Sequence, residues 1–203
     1  MNDNAKNTVP LGWAVKAAAG YPIRGALDEL PSGDVHLLQL KHMSLDHDVD
    51  WSSVPTVSLP SKREPVWLSD NDVIFAPRGT RTLAYPLTNT PAKAVCAPQF
   101  FALSVDDPGR LLPEFLAWQI NQRPAQDYLQ RNATGSYIQN IRREVLENLP
   151  ITIPPLHDQR LIVDFWRAAQ RERAMLQQLI ENRNNQLEAL ALRLLQHTSG
   201  EIQ

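Results

Sequence analysis

Three short stretches carry side chains suited to an anionic, base-bearing ligand. The first is Arg78-Gly79-Thr80-Arg81, directly after the apolar run VIFA at 73–76. A strand end fixes the backbone there, Gly79 lets it approach a ligand closely, and planar guanidinium forks match phosphates or the edge of guanine. The same four residues would also make a tight surface turn with two solvated arginines. The second stretch is TGSYIQN at 134–140, followed by Arg142. Gln139 and Asn140 can pair bidentately with adenine, while Ser136 and Tyr137 suit phosphate oxygens. A loop that caps a helix beginning near 141 would use Ser136 and Asn140 equally well. The third is Lys41-His42, after a strand ending at Leu40, where a solvated lysine would look the same.

Charge is distributed in a way that favours the ligand reading. The net charge is −2, which argues against indiscriminate coating of nucleic acid. Between Asp72 and Asp106, however, there is no acidic residue, only Arg78, Arg81 and Lys93. Between Asp127 and Glu144 there is again none, only Arg131, Arg142 and Arg143. Each window alone reads as a loop with scattered arginines. Together, in a chain that is 21% charged, they point to a local positive surface and an anionic partner.

Catalytic patterns are missing. There is no GxxxxGK[ST] and no GxGxxG after a strand. Pro154-Pro155 lacks the preceding Asn or Asp and the following aromatic of an amino-methylating site, and no HExxH occurs. His42 and His47 lie near Asp46, Asp48 and Asp50, but that spacing matches no metal motif and reads as a solvated acidic loop. The single Cys96, set in AVCAP, rules out an internal disulfide and reads as a small buried residue. No catalytic residue, metal or cofactor is expected. No run approaches a membrane span and the N-terminus lacks a signal-peptide layout, so a cytoplasmic location is expected.

The elements that must hold these stretches are mixed. WAVKAAA at 13–19 is rich in helix formers and reads as a helix or loop punctuated by Gly20 and Pro22. DVHLLQL at 34–40 reads as a strand, 46–62 as a proline-rich surface loop, and 65–68 as a short extended piece. Further strands are expected at 73–76, 83–87, 94–97 and 99–105. PEFLAWQIN at 113–121 is helical, with Pro113 in its first turn; short helices are expected near 125–130 and 141–149, and a last strand at 151–153. From His157 to about His197 the pattern is helical, with Ile162, Phe165, Ala169, Leu176, Leu179, Ile180, Leu187, Leu190 and Leu194 in steps of three and four. Such a helix is roughly 60 Å long and exceeds the width of its domain, so part of its apolar stripe needs a partner. The polar patch Arg183-Asn184-Asn185-Gln186 interrupts it and makes it a poor strict heptad.

Taken in order, these stretches resemble the specificity subunit of type I restriction–modification systems. The similarity lies in Tyr21-Pro22-Ile23-Arg24-Gly25, then DVHLLQL, LSDNDVIFAPRGT, GSYIQNI and LPITIPPLHDQRLIV, and extends over about the whole chain. The stretch 135–163 is the specific part. Asp158 stands where the family usually has glutamate. The larger departure is length, because family members carry two target-recognition domains, each followed by a long helix. The resemblance implies that each recognition domain reads one half of a split DNA site, and that paired helices set the spacing and dock methyltransferase subunits. A half-length chain would have to dimerise to restore that arrangement, as a two-fold pair with antiparallel helices on a palindromic split site.

The resulting expectation is an α+β protein: a mixed α/β target-recognition domain, residues 1–153, and a helical spacer and dimerisation arm, residues 154–203, forming an antiparallel two-helix coiled coil with a partner. It would bind double-stranded DNA through Lys41, Arg78, Gly79, Thr80, Arg81, Ser136, Tyr137, Gln139, Asn140 and Arg142. It would pair as a homodimer through Ile162, Phe165, Ala169, Leu176, Leu179, Leu187 and Leu190. It would catalyse nothing and would position the methyltransferase (modification) subunit, and a restriction subunit where the system has one, in phage defence. Two rivals stand beside this reading: a protein–protein adaptor with a coiled-coil arm, and the detached recognition part of an adenine methyltransferase or a cryptic nuclease.

Overall fold

The computed structural model describes residues 8–23, 32–59, 64–78, 82–135 and 140–198. Its strands are β1 (Thr8–Pro10), β2 (Val15–Ala19), β3 (Ser32–Leu38), β4 (Thr56–Val57), β5 (Asp72–Ala76), β6 (Leu83–Pro86), β7 (Ala94–Cys96), β8 (Phe101–Val105) and β9 (Pro150–Thr152). Its helices are α1 (Pro113–Ile120), α2 (Arg123–Asn132), α3 (Arg143–Glu147) and α4 (Leu156–Thr198). The strands form three sheets, in the orders β2-β8-β5-β6, β4-β3-β7 and β1-β9. The four-stranded sheet is antiparallel throughout, and the one parallel pair among the described strands is β3 with β7. The fold is α+β with a long C-terminal helix.

β5, an inner strand of the four-stranded sheet, is buried on both faces, which is why 73–76 reads as an uninterrupted apolar run. Alternation splits its side chains between two cores. Val73 and Phe75, with Leu103 and Val105 of β8, face the core made with α1, α2, α3 and the start of α4. Ile74 and Ala76, with Ala102 and Tyr85, face the core made with β3, β4 and β7.

The stretch 13–19 does not form a helix. A 3-10 turn at Leu11–Trp13 leads into β2, which pairs with β8 from Val15↔Val105 to Ala19↔Phe101. Val15 and Ala17 point inward and Lys16 outward, so period-two burial against a neighbouring strand overrides the alanines' helical preference. Of the segment 46–62, the described part, 46–59, is likewise more anchored than a surface loop. Val54 and Val57 are buried, β4 pairs with β3, and the Trp51 indole N–H donates to the Thr88 carbonyl at 2.9 Å. The other expected strands and helices appear within a few residues of their anticipated bounds.

Amide side chains stitch the helices to the sheets. On α1, Gln119 donates to the Thr152 carbonyl and accepts from its N–H, at 2.9 and 2.8 Å. The neighbouring Asn121 makes the same two-way pair with Ala84, at 2.8 and 2.9 Å. Gln159, fully buried in the first turn of α4, receives the Leu112 N–H at 2.9 Å and donates to the carbonyls of Arg110 and Pro154 at 2.8 and 2.7 Å. Every hydrogen-bonding group of that side chain is therefore used on backbone, which is how a buried amide avoids its desolvation penalty.

Val163 is buried in the same core, and Trp166 packs against it half-buried. Arg167 pairs with Glu114 at 2.8 Å, Gln170 donates to the Leu45 carbonyl, and Arg173 reaches Asp46 at 3.3 Å. Beyond that point the helix leaves the globule, and every residue from 175 to 195 is exposed. That stretch projects for about 32 Å at 1.5 Å per residue.

Candidate nucleic-acid interface

The two acid-free windows meet. Arg78, the residue after Pro77 at the end of β5, forms an antiparallel bridge with Asn140, which lies 62 positions later and bridges in turn with Thr134. The Thr134 N–H donates to the Asn140 carbonyl at 3.0 Å, and the Asn140 N–H returns to the Thr134 carbonyl at 2.9 Å. The Ile141 N–H donates to the Pro77 carbonyl at 3.0 Å, and its buried side chain nails down the far end of the loop. Gly135 supports this closure at φ 102°, a left-handed conformation that other residues adopt only with strain.

The result is a cleft of about 250 Å³. Arg78, Asn140 and Arg142 line it together with Gln99, Phe101 and Arg143. Gly20, next in sequence to Ala19 of the lining, has no room for a side chain, because a Cβ would lie 2.0 Å from the Ala97 carbonyl oxygen. The Arg78 Nε donates to Asn140 Oδ1 at 3.4 Å, a long bond that leaves the guanidinium edge turned to solvent. Arg143 is occupied by Glu147 one helical turn on, at 2.7 Å, and Glu144 adds an acidic group to the lining. Among the described residues neither Arg78 nor Arg142 takes part in an ion pair, so these two cations are available to an anion.

The remaining expected contact residues are dispersed. Lys41 is exposed on a 3-10 turn, Leu40–His42, beyond β3, and does not line this cleft. Beside it, burial first and the Lys41 charge second push the His42 imidazole below its ordinary value, and its Nδ1 accepts the Gln39 N–H at 3.2 Å. Gly79, Thr80, Arg81, Ser136, Tyr137 and Gln139 lie outside the described residues. Lys93, part of the first acid-free window, is bound to Asp34, whose carboxyl that lysine holds below its usual range. Its charge is thus neutralised away from the cleft. Gln99 and Arg143 were not singled out as contacts by sequence. Arg143 had only its place in an acid-free window to mark it, and Gln99 had no signal at all.

Among the described residues no cluster of three or more His, Cys, Asp or Glu is placed to hold a metal ion. Asp46 is engaged by Arg173, and Asp50 caps the turn at Ser52. Cys96 is buried in β7, and burial pushes its thiol up to about 12. Among the described residues no helix is long and apolar enough to cross a membrane.

On the arm, Phe165, Ala169, Leu176, Leu179, Leu187 and Leu190 are exposed, whereas Ile162 is half-buried against the chain's own core. Ile162 therefore helps to dock the helix rather than adding to its outer surface.

The family model described as the type I restriction modification DNA specificity domain matches residues 68–189, which include Arg78, Asn140, Arg142 and most of α4. No curated protein sequence matches the chain. Among solved structures, the S subunit of a type I restriction-modification system from M. genitalium is similar at a TM-score of 0.55 and 16% identity, over 91% of this chain and 45% of that one. The HsdS subunit from Thermoanaerobacter tengcongensis is similar at 0.55 and 20% identity, over 90% and 45%. A structure that describes complex assembly and conformational transition of the type I R-M system is similar at 0.58 and 18% identity, over 90% and 43%. At these identities the likeness is one of fold, and this chain spans less than half the length of each.

Proposed function

The chain belongs to the family defined by the type I restriction modification DNA specificity domain, and from that premise we propose that it is a half-length specificity subunit that reads double-stranded DNA. The carrying observation is the bridge between Arg78 and Asn140, which brings two acid-free windows into one cleft. Arg78 and Arg142 supply the charge. Asn140, together with Ser136, Tyr137 and Gln139 shortly before it in the sequence, supplies hydrogen-bonding groups that can discriminate base edges. Gly79, Thr80 and Arg81, the next three residues in the sequence after Arg78, are further proposed contacts, with Lys41 as an outlying phosphate contact. The recognition domain occupies residues 1–153 and the arm 154–203. Two copies joined by their arms would present two recognition domains to the two halves of a split site and place the methyltransferase and restriction subunits on it. The chain itself carries out no reaction and resides with its DNA in the cytoplasm.

The test is selection of a cognate duplex from a randomised pool, followed by fluorescence anisotropy across a salt series. Replacing Arg78 and Arg142 together by alanine should flatten the plot of log affinity against log salt by about 0.9 per lost phosphate contact. If selection enriches no duplex, or if the double variant keeps the wild-type affinity and slope, the reading of this cleft fails.

A further inference from the structure

The outer face of α4 carries a repeat that a heptad reading misses. Positions 165, 168 and 172 recur eleven residues on as 176, 179 and 183, and again in 187 and 190. Leu161 and Leu194 continue the same spacing at the two ends. Eleven residues over three turns is 3.67 per turn, close to the natural helical period, so the stripe runs almost straight along one side. It lies roughly opposite the docked face formed by Gln159, Val163, Trp166 and Gln170, and all its positions from 165 to 190 are exposed. All are apolar except two of opposite sign, Glu172 and Arg183. Those two stand about 16 Å apart along the axis, too far to meet within one helix. Among the described residues neither takes part in an ion pair.

We infer that this stripe is the seat of a second copy of the chain, packed antiparallel with the two-fold axis between Gln177 and Gln178. This rests on the half-subunit reading above and fixes what that reading leaves open, the register. The stripe is symmetric about that point. Turned end for end on itself, it sets Phe165 opposite Leu190, Ala168 opposite Leu187, and Leu176 opposite Leu179 of the partner. It sets Glu172 opposite Arg183 twice over, once on each side of the axis. The charges select this arrangement. A parallel pair in register would face Glu172 with its own copy and Arg183 with its own copy. Sliding the antiparallel pair by one eleven-residue repeat either way does the same to one of the two residues. Only the central register pairs every apolar position with an apolar one and both charges with their opposites, the combination that specifies partner and orientation in helix pairs. The distal end of each arm then lies on the docked turns of its partner. The two copies of Val163 stand about 44 Å apart along the pair, somewhat more than one turn of B-DNA.

Charge exchange in the full chain is the test, read by sedimentation equilibrium at low salt. Glu172→Arg alone faces arginine with arginine at both sites, and Arg183→Glu alone faces glutamate with glutamate. Each should weaken self-association on the order of thirtyfold. An equimolar mixture of the two variants should recover wild-type dimerisation, because every site in the mixed pair is again opposite in charge. The doubly exchanged chain should recover it as well. Variants that dimerise as tightly as the wild type, or a mixture no tighter than its components, would overturn the register. A wild-type chain monomeric at every concentration would overturn it too, and anisotropy on a duplex carrying one half site would then still test DNA reading by itself. A chain that passes the exchange test yet binds no duplex leaves the register standing and removes the DNA-reading function.

Discussion

Gln159 is the residue on which the attachment of arm to globule turns. Its carboxamide replaces three solvent contacts with three backbone ones: the Leu112 N–H at 2.9 Å and the carbonyls of Arg110 and Pro154 at 2.8 and 2.7 Å. Leucine at this position keeps the volume and orphans all three groups. A buried unpaired backbone group costs about 1–3 kcal/mol, and water can reach the exposed turn at Arg110, so the expected loss is about 2–4 kcal/mol. That is a large share of the roughly 5–15 kcal/mol that holds a domain of this size. Gln159→Glu is the sharper probe. A carboxylate can still accept the Leu112 N–H, but it cannot donate, and it sets negative charge against two carbonyl oxygens. It should therefore be as damaging as leucine near pH 7 and partly recover near pH 4, where a protonated acid regains one donor. Guanidinium denaturation measures the loss, and amide exchange localises it, with the Leu112 N–H and the first turns of α4 exchanging faster. A glutamate variant as stable as the wild type near pH 7, or a leucine variant that loses under about 1 kcal/mol with Leu112 exchange unchanged, would refute the reasoning.

Asp72 is buried at the start of β5, where it accepts the Ser69 N–H at 2.7 Å and the Ser104 hydroxyl; Asp72→Ala should cost about 3 kcal/mol in chemical denaturation, with the loss centred on β5 and β8. The Cys96 thiol, raised by burial from 9.0 to about 12, should resist alkylation in the native chain at neutral pH and react once the chain is unfolded. The sign of its linkage follows. The unfolded thiol ionises first, so its contribution to stability is full below about pH 9 and declines as pH rises towards 12, a contribution that Cys96→Ala should remove. Native alkylation as fast as that of a free thiol would contradict the buried setting.

Much of the scaffold was legible because its signals are local. β5 shows itself by an apolar run closed by Pro77, α1 by Pro113 and a buried face of Phe115, Leu116 and Ile120, and α4 by its apolar steps of three and four. The failures also have a common cause. The alanines of β2 and the short β4 owe their conformation to a neighbouring strand, and no local preference records that neighbour. Lys93 belongs to an acid-free window of sequence, yet the fold sets Asp34, distant in sequence, against it.

Local signals were enough to fix the class of the fold, the length of the last helix and the residue types on offer to an anionic ligand, because hydrophobic period, turn residues and charge spacing are properties of a chain segment. Tertiary structure alone decided that Arg78 and Asn140 share a cleft, that Gln159 closes three backbone groups at once, and that Ile162 faces inward while Phe165 faces out. Those outcomes depend on which distant backbones pair and which side of a helix is covered. Both follow from burying two cores around one sheet, which no stretch of residues can specify alone.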